Sequence, residues 1–80
     1  MATTLTPFSR RVIGSVKAEL ARRDLDGAAL VPVLGLSRNT VYARLRGEKS
    51  FEVDEVGKIA DFFGIPVEAL VTPHVGEVAA

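Results

Sequence analysis

At Gly35-Leu36-Ser37 two stretches of helical pattern meet with three residues between them. The glycine suits the left-handed residue that ends a helix, and Leu36 supplies the apolar contact that follows it. Ser37 then offers its side-chain oxygen to the N–H of Asn39 or Thr40 and starts a new helix at once. Two helices joined this tightly cross steeply and form a helix-turn-helix. The second helix of such a unit stands proud of its domain, so its outer face is free to meet a partner.

The flanking residues extend the helical reading. Thr6-Pro7 suits a helix start, with Thr as cap and Pro at the first position. Phe8, Val12, Ile13, Val16 and Leu20 then recur with helical period, which predicts a first helix over 7–23. Glu19 and Arg23 form a favourably oriented i,i+4 pair on it. Asp26 caps a short second helix that ends at Leu34 and buries Leu30, Val33 and Leu34. Pro32 predicts a kink there, because it removes one backbone bond and presses on the carbonyl of Ala28. A third helix runs over 38–46, with Val41 and Leu45 inward. A fourth runs from Val53 to Phe63 on Val56, Ile59, Ala60 and Phe63, with Asp54 and Glu55 at its positive end. Pro66 opens a last turn to Val71. The expected organisation is an N-terminal arm over 1–6, a helical domain over 7–71 and a flexible tail over 72–80. No stretch carries the alternation of a strand.

Composition closes off other classes. Eighty residues make one small domain, and 48% apolar with 25% charged residues is ordinary globular content. There are no cysteines and one histidine, His74, so neither a disulfide nor a thiolate or His-rich metal cluster is expected. The apolar run Ala28–Leu34 is far short of a membrane span. The N-terminus lacks the basic and apolar regions of a secretory signal, so the expected location is the cytoplasm.

The formal net charge is zero, but residues 1–49 hold nine Lys/Arg against four Asp/Glu, giving +5, and residues 50–80 hold one against six, giving −5. Such asymmetry suggests a polyanionic partner for the basic half. The third helix concentrates the signal. At about 100° per residue, with Val41 and Leu45 inward, Asn39, Ala43 and Arg46 point outward. Thr40 and Tyr42 flank them, and Arg38 projects from the helix start. Asn can pair with adenine through N6 and N7, Arg with guanine through O6 and N7, and Ala can meet a thymine methyl. A solvated face usually mixes signs, whereas residues 38–46 hold three arginines and no acid. Arg44, Arg46 and Lys49 are thus expected to face phosphates, and the helix start beside Ser37 offers N–H groups to another.

These residues resemble the lambda-repressor-like helix-turn-helix domains of Cro/C1 type over roughly residues 8–71. The resemblance rests on Leu25-Asp26, on Leu34 to Tyr42 across the turn, on Leu45-x-Gly47-Glu48, and on Val56-x-x-Ile59-Ala60-x-x-Phe63-Gly64-Ile65-Pro66-Val67-Glu68-Ala69-Leu70. It implies a compact all-α five-helix bundle that binds operator DNA, usually as a dimer. It further implies base contacts from Arg38, Asn39, Tyr42 and Ala43, and phosphate contacts from Ser37, Thr40, Arg46 and Lys49. Three positions depart from the pattern. Gly27 stands where many relatives carry a phosphate-clamping Gln, Pro32 is unusual in the second helix, and Arg44 replaces a buried aliphatic residue.

The expectation is therefore a sequence-specific regulator of transcription, a repressor of stand-alone phage type. It would act at the nucleoid on a pseudo-palindromic operator, without cofactor, metal or small-molecule substrate. Val67, Leu70, Val71 and Val75 are the expected contacts of a homodimer. Phe62 lies off the inner face and is expected beneath the last turn beside Leu70, or else in a subunit contact. An antitoxin built on the same bundle, or a protein-interaction module with an acidic partner, are the rival readings. No Gly-rich phosphate loop, zinc-protease motif or nucleophile elbow is present, so catalysis is not expected.

Overall fold

The computed structural model describes residues 5–72. Five helices are present: α1 (Pro7–Arg22), α2 (Leu30–Leu34), α3 (Arg38–Leu45), α4 (Val53–Phe63) and α5 (Glu68–Val71), with a 3-10 turn at Gly27–Ala29 before α2. Among the described residues there is no strand, and no helix is long and apolar enough to cross a membrane.

Each helix sends one side chain to the centre. Val16 of α1, Leu30 of α2, Val41 of α3, Ile59 of α4 and Leu70 of α5 are fully buried. The fold is an all-α five-helix bundle closed on a single core, and burial of these side chains is its main driving force. α1 packs on α5 and α3, α2 on α4 and α3, and α3 on the 3-10 turn. Helices as short as α2 and α5 would not persist alone, so this packing holds them.

The caps follow the local chemistry. Thr6 Oγ1 accepts from the N–H of Ser9 at 3.1 Å, and Ser37 Oγ from the N–H of Thr40 at 3.1 Å. Gly35 adopts φ 67°, the left-handed conformation that lets α2 stop and the chain turn into α3.

The second helix differs from expectation. Asp26 does cap it, accepting from the N–H of Ala28 at 3.0 Å, but Gly27–Ala29 form a 3-10 turn and α-helix begins only at Leu30. Pro32 is then the third residue of α2, within the first turn, where a missing N–H leaves no bond unmade. The change of helix type takes the place of a kink in a longer helix.

Two other apolar positions also differ. Phe8, read as part of the inner stripe of α1, is 53% exposed. Phe62 is exposed rather than tucked beside Leu70, and its ring lies 5.4 Å from that of Phe63. Residue Leu5, assigned to the arm, packs against the core.

Candidate nucleic-acid interface

The outer face of α3 begins with Arg38 and Asn39, both exposed. Their backbone is held by the Ser37 cap, and Thr40 is tied into it, with its hydroxyl 2.9 Å from Ser37 Oγ. Tyr42 and Ala43 are half-buried, and Arg46 and Lys49 are exposed beyond the helix end. Asn39, Thr40, Ala43, Arg46, Glu48 and Lys49, with Arg44, line one shallow depression of about 560 Å³. Seven of the nine predicted contact residues therefore converge on α3 and its end as an accessible surface, and Tyr42 joins them at the flank.

Tyr42 has a second attachment. Its ring packs against Gly27 so closely that a Cβ there would lie 3.0 Å from two ring carbons, and 2.7 Å from Leu45 Cδ1. Gly27 is buried because α3 approaches the backbone at this point. The Arg38 guanidinium also lies 5.3 Å from the Tyr42 ring centroid, within cation–π range. Tyr42 thus links the start of the outer face of α3 to the element behind it.

Arg44 overturns its assignment as a phosphate contact. It is 4% exposed and forms a buried ion pair with Glu55 of α4. The reason lies in helix geometry: Arg44 is three residues from Val41, about 60° away around the helix, which is still the inner side. Both Arg44 and Leu45 are buried, so the inner side of α3 takes in both. Glu55 also accepts from the backbone N–H of Glu52 at 2.9 Å, closing the first turn of α4 in the manner of a capping box. The buried carboxylate partner was readable only as a helix-end acid, because nothing in the sequence spacing joins residue 44 to residue 55.

Arg46 is outward but not free. Its Nε donates to Glu48 at 2.6 Å, with both side chains 58% exposed. The hydrogen bond and charge of Arg46 hold the Glu48 carboxyl below its ordinary pKa, and Glu48 raises that of Arg46 in return. Arg22 and Arg23 are likewise committed, to the buried Glu19 at 2.6 and 2.5 Å. Four of the nine cations in residues 1–49 are thus ion-paired in the fold, and the basic half presents less free charge than its composition suggests. The exposed acids Glu52, Asp54, Asp61 and Glu68 lie on or beside α4 and α5.

The expected dimer contacts divide. Leu70 is fully buried in the core and has no surface to offer, because it is the anchor of a four-residue helix. Val71 is half-buried and Val67 is 43% exposed. These two share an apolar groove of about 230 Å³ with Phe8, Val12, Phe51, Val53 and Val56. Val75 lies outside the described residues, as does His74.

No curated protein and no solved structure matches this chain. A family model described as the BetR domain matches residues 12–79. That match begins within α1 and takes in the whole of α2, the turn at Gly35 and α3 to α5, and the chain belongs to the BetR domain family.

Proposed function

We propose that this chain binds double-stranded DNA sequence-specifically, with α3 in the major groove, and regulates transcription as a repressor. One observation carries the reading: Arg38 and Asn39 stand exposed at the start of a helix that follows a tight turn, and exposed Arg46 and Lys49 follow the end of the same helix. Asn39 and Arg38 present the donors and acceptors that read adenine and guanine edges, and Ala43 leaves room for close approach. Ser37, Thr40, Arg46 and Lys49 border that face and hold phosphates. Tyr42 contributes its hydroxyl edge at the flank. The working location is the nucleoid.

A single short helix touches few base pairs, so two copies on a pseudo-palindromic site are needed for useful discrimination. Their half-site centres would lie about 34–36 Å apart, one turn of the duplex. Val67 and Val71, with the groove they share with Phe8 and Val53, are the proposed contact.

Selection of bound duplexes from a random pool tests the reading. It should enrich one sequence with two-fold symmetry. Affinity for that duplex should fall with salt, each neutralised phosphate contributing about −0.9 to the slope of log K against log salt. A pool that enriches no sequence, or binding indifferent to salt, would exclude it.

A further inference from the structure

The Arg44–Glu55 pair is an inefficient way to stabilise a core. Both side chains are nearly buried, at 5% and 11% exposure, and Arg44 Nε is buried without a hydrogen-bond partner. Two desolvated charges with an unmet donor give little that a well-packed apolar pair would not. What an apolar pair lacks is direction. A guanidinium meets a carboxylate in a narrow range of orientations, whereas Met or Leu side chains pack in many.

The two ends of the pair are fixed differently. Glu55 is held in place by its second bond, to the N–H of Glu52 at 2.9 Å, which anchors it to the first turn of α4. Arg44 belongs to α3, whose start is set by Ser37 and whose flank rests on Gly27 through Tyr42. Its last turn is then tied to α4 by the ion pair. A side-chain tip on a helix lies about 5–6 Å from the axis, so a 15° rotation of α3 moves Asn39 by roughly 1.4 Å. Binding groups need to be held to about 0.5 Å, so a rotation of that size would break a two-pronged contact with a base.

We infer that Arg44 and Glu55 are positioning residues for the reading face: their buried pair sets the rotation of α3, and so sequence discrimination, more than it sets stability. The inference rests on the DNA-reading function proposed above.

The test uses the full chain, the duplex enriched from the random pool and a scrambled duplex of the same composition. Arg44→Met with Glu55→Gln removes both charges, while Gln keeps an oxygen for the Glu52 N–H. This double variant should melt within a few degrees of the parent and bind the scrambled duplex within about two-fold. Its preference for the enriched duplex should fall about ten-fold or more. Arg44→Lys alone keeps a charge in the same space and loses the fork. It should fold and lose part of the preference, which keeps the test decisive if the double variant is unstable. Full preference in either folded variant would overturn the inference and leave the function standing. A parent with no preference would overturn both.

Discussion

Tyr42 and Gly27 touch across the junction between α3 and the 3-10 turn, with room for a hydrogen but not for a methyl: a Cβ on Gly27 would sit 3.0 Å from the ring. The backbone of residue 27 is where α3 rests, so a side chain there would have to push Tyr42 and Leu45 aside. Gly27→Ala should force Tyr42 and Leu45 outward and cost about 1–2 kcal/mol by overpacking. Thermal melting should show the loss as about 4–8 °C per kcal/mol for a domain of this size. An unchanged melting temperature would mean the ring has space to move.

Glu19 predicts an acid-sensitive part of the stability. It is buried, and its carboxyl is held below the ordinary value of 4.5 mainly by the hydrogen bond from Arg23, with Arg22 adding to it against the opposing effect of burial. A depressed carboxylate stabilises the fold fully above about pH 4.5 and loses that contribution as pH falls through its lower folded value. Arg23 extends the effect, since it also donates to the Phe63 carbonyl at 3.1 Å and lies over the Phe63 ring. Glu19→Gln should lower stability by roughly 1–2 kcal/mol at neutral pH, with the arginines partly solvated. The deficit should shrink as pH falls below 4.5 through the lowered folded value, where the parent loses the same interaction. Melting curves of both proteins across that range check the convergence.

The fold and the site were legible to different degrees. The start of α3 could be read because Gly35 and Ser37 have local roles, and both act as their chemistry dictates. The span Val53–Phe63 was likewise readable from its apolar period. Arg44 was not, because its charge argued for solvent while its angular position argued for the core, and the deciding partner is eleven residues away. Leu70 was misplaced for a related reason: a four-residue helix has too short a period to mark its inner face. Phe62 lies off the inner face as the period of α4 indicates, and only its placement beneath the last turn fails, since the side chain is exposed.

Leu70 and Val67 should separate folding from pairing. Leu70→Ala removes a fully buried side chain from the centre of the core and should cost about 2–5 kcal/mol. Val67→Ala changes an exposed rim of the apolar groove and should leave the melt close to the parent. Its effect should appear as weaker cooperative occupancy of the two half-sites in a footprinting titration. Unaltered cooperativity would move the subunit contact elsewhere.

Glu48 competes for a cation that the proposed function uses. Its carboxylate occupies Arg46 at 2.6 Å, so a phosphate must displace it. Glu48→Gln should tighten binding to enriched and scrambled duplexes alike and steepen the salt slope by about one unit. Arg46→Ala should do the reverse by about the same amount. Both effects should shrink at high salt, and neither melt should move much, because the pair is solvent-exposed. Fluorescence titrations at two salt concentrations read both outcomes.

The central claim is that the outer face of α3 reads base sequence, and Asn39 is its most direct probe. The side chain is exposed on that face, one residue after Arg38 at the helix start. Titration of Asn39→Ala against the enriched and scrambled duplexes, with a thermal melt as control, is the measurement. The account predicts a loss of about 1–3 kcal/mol on the enriched duplex, little change on the scrambled one and an unaltered melt. An equal loss on both duplexes, or none on either, would contradict it.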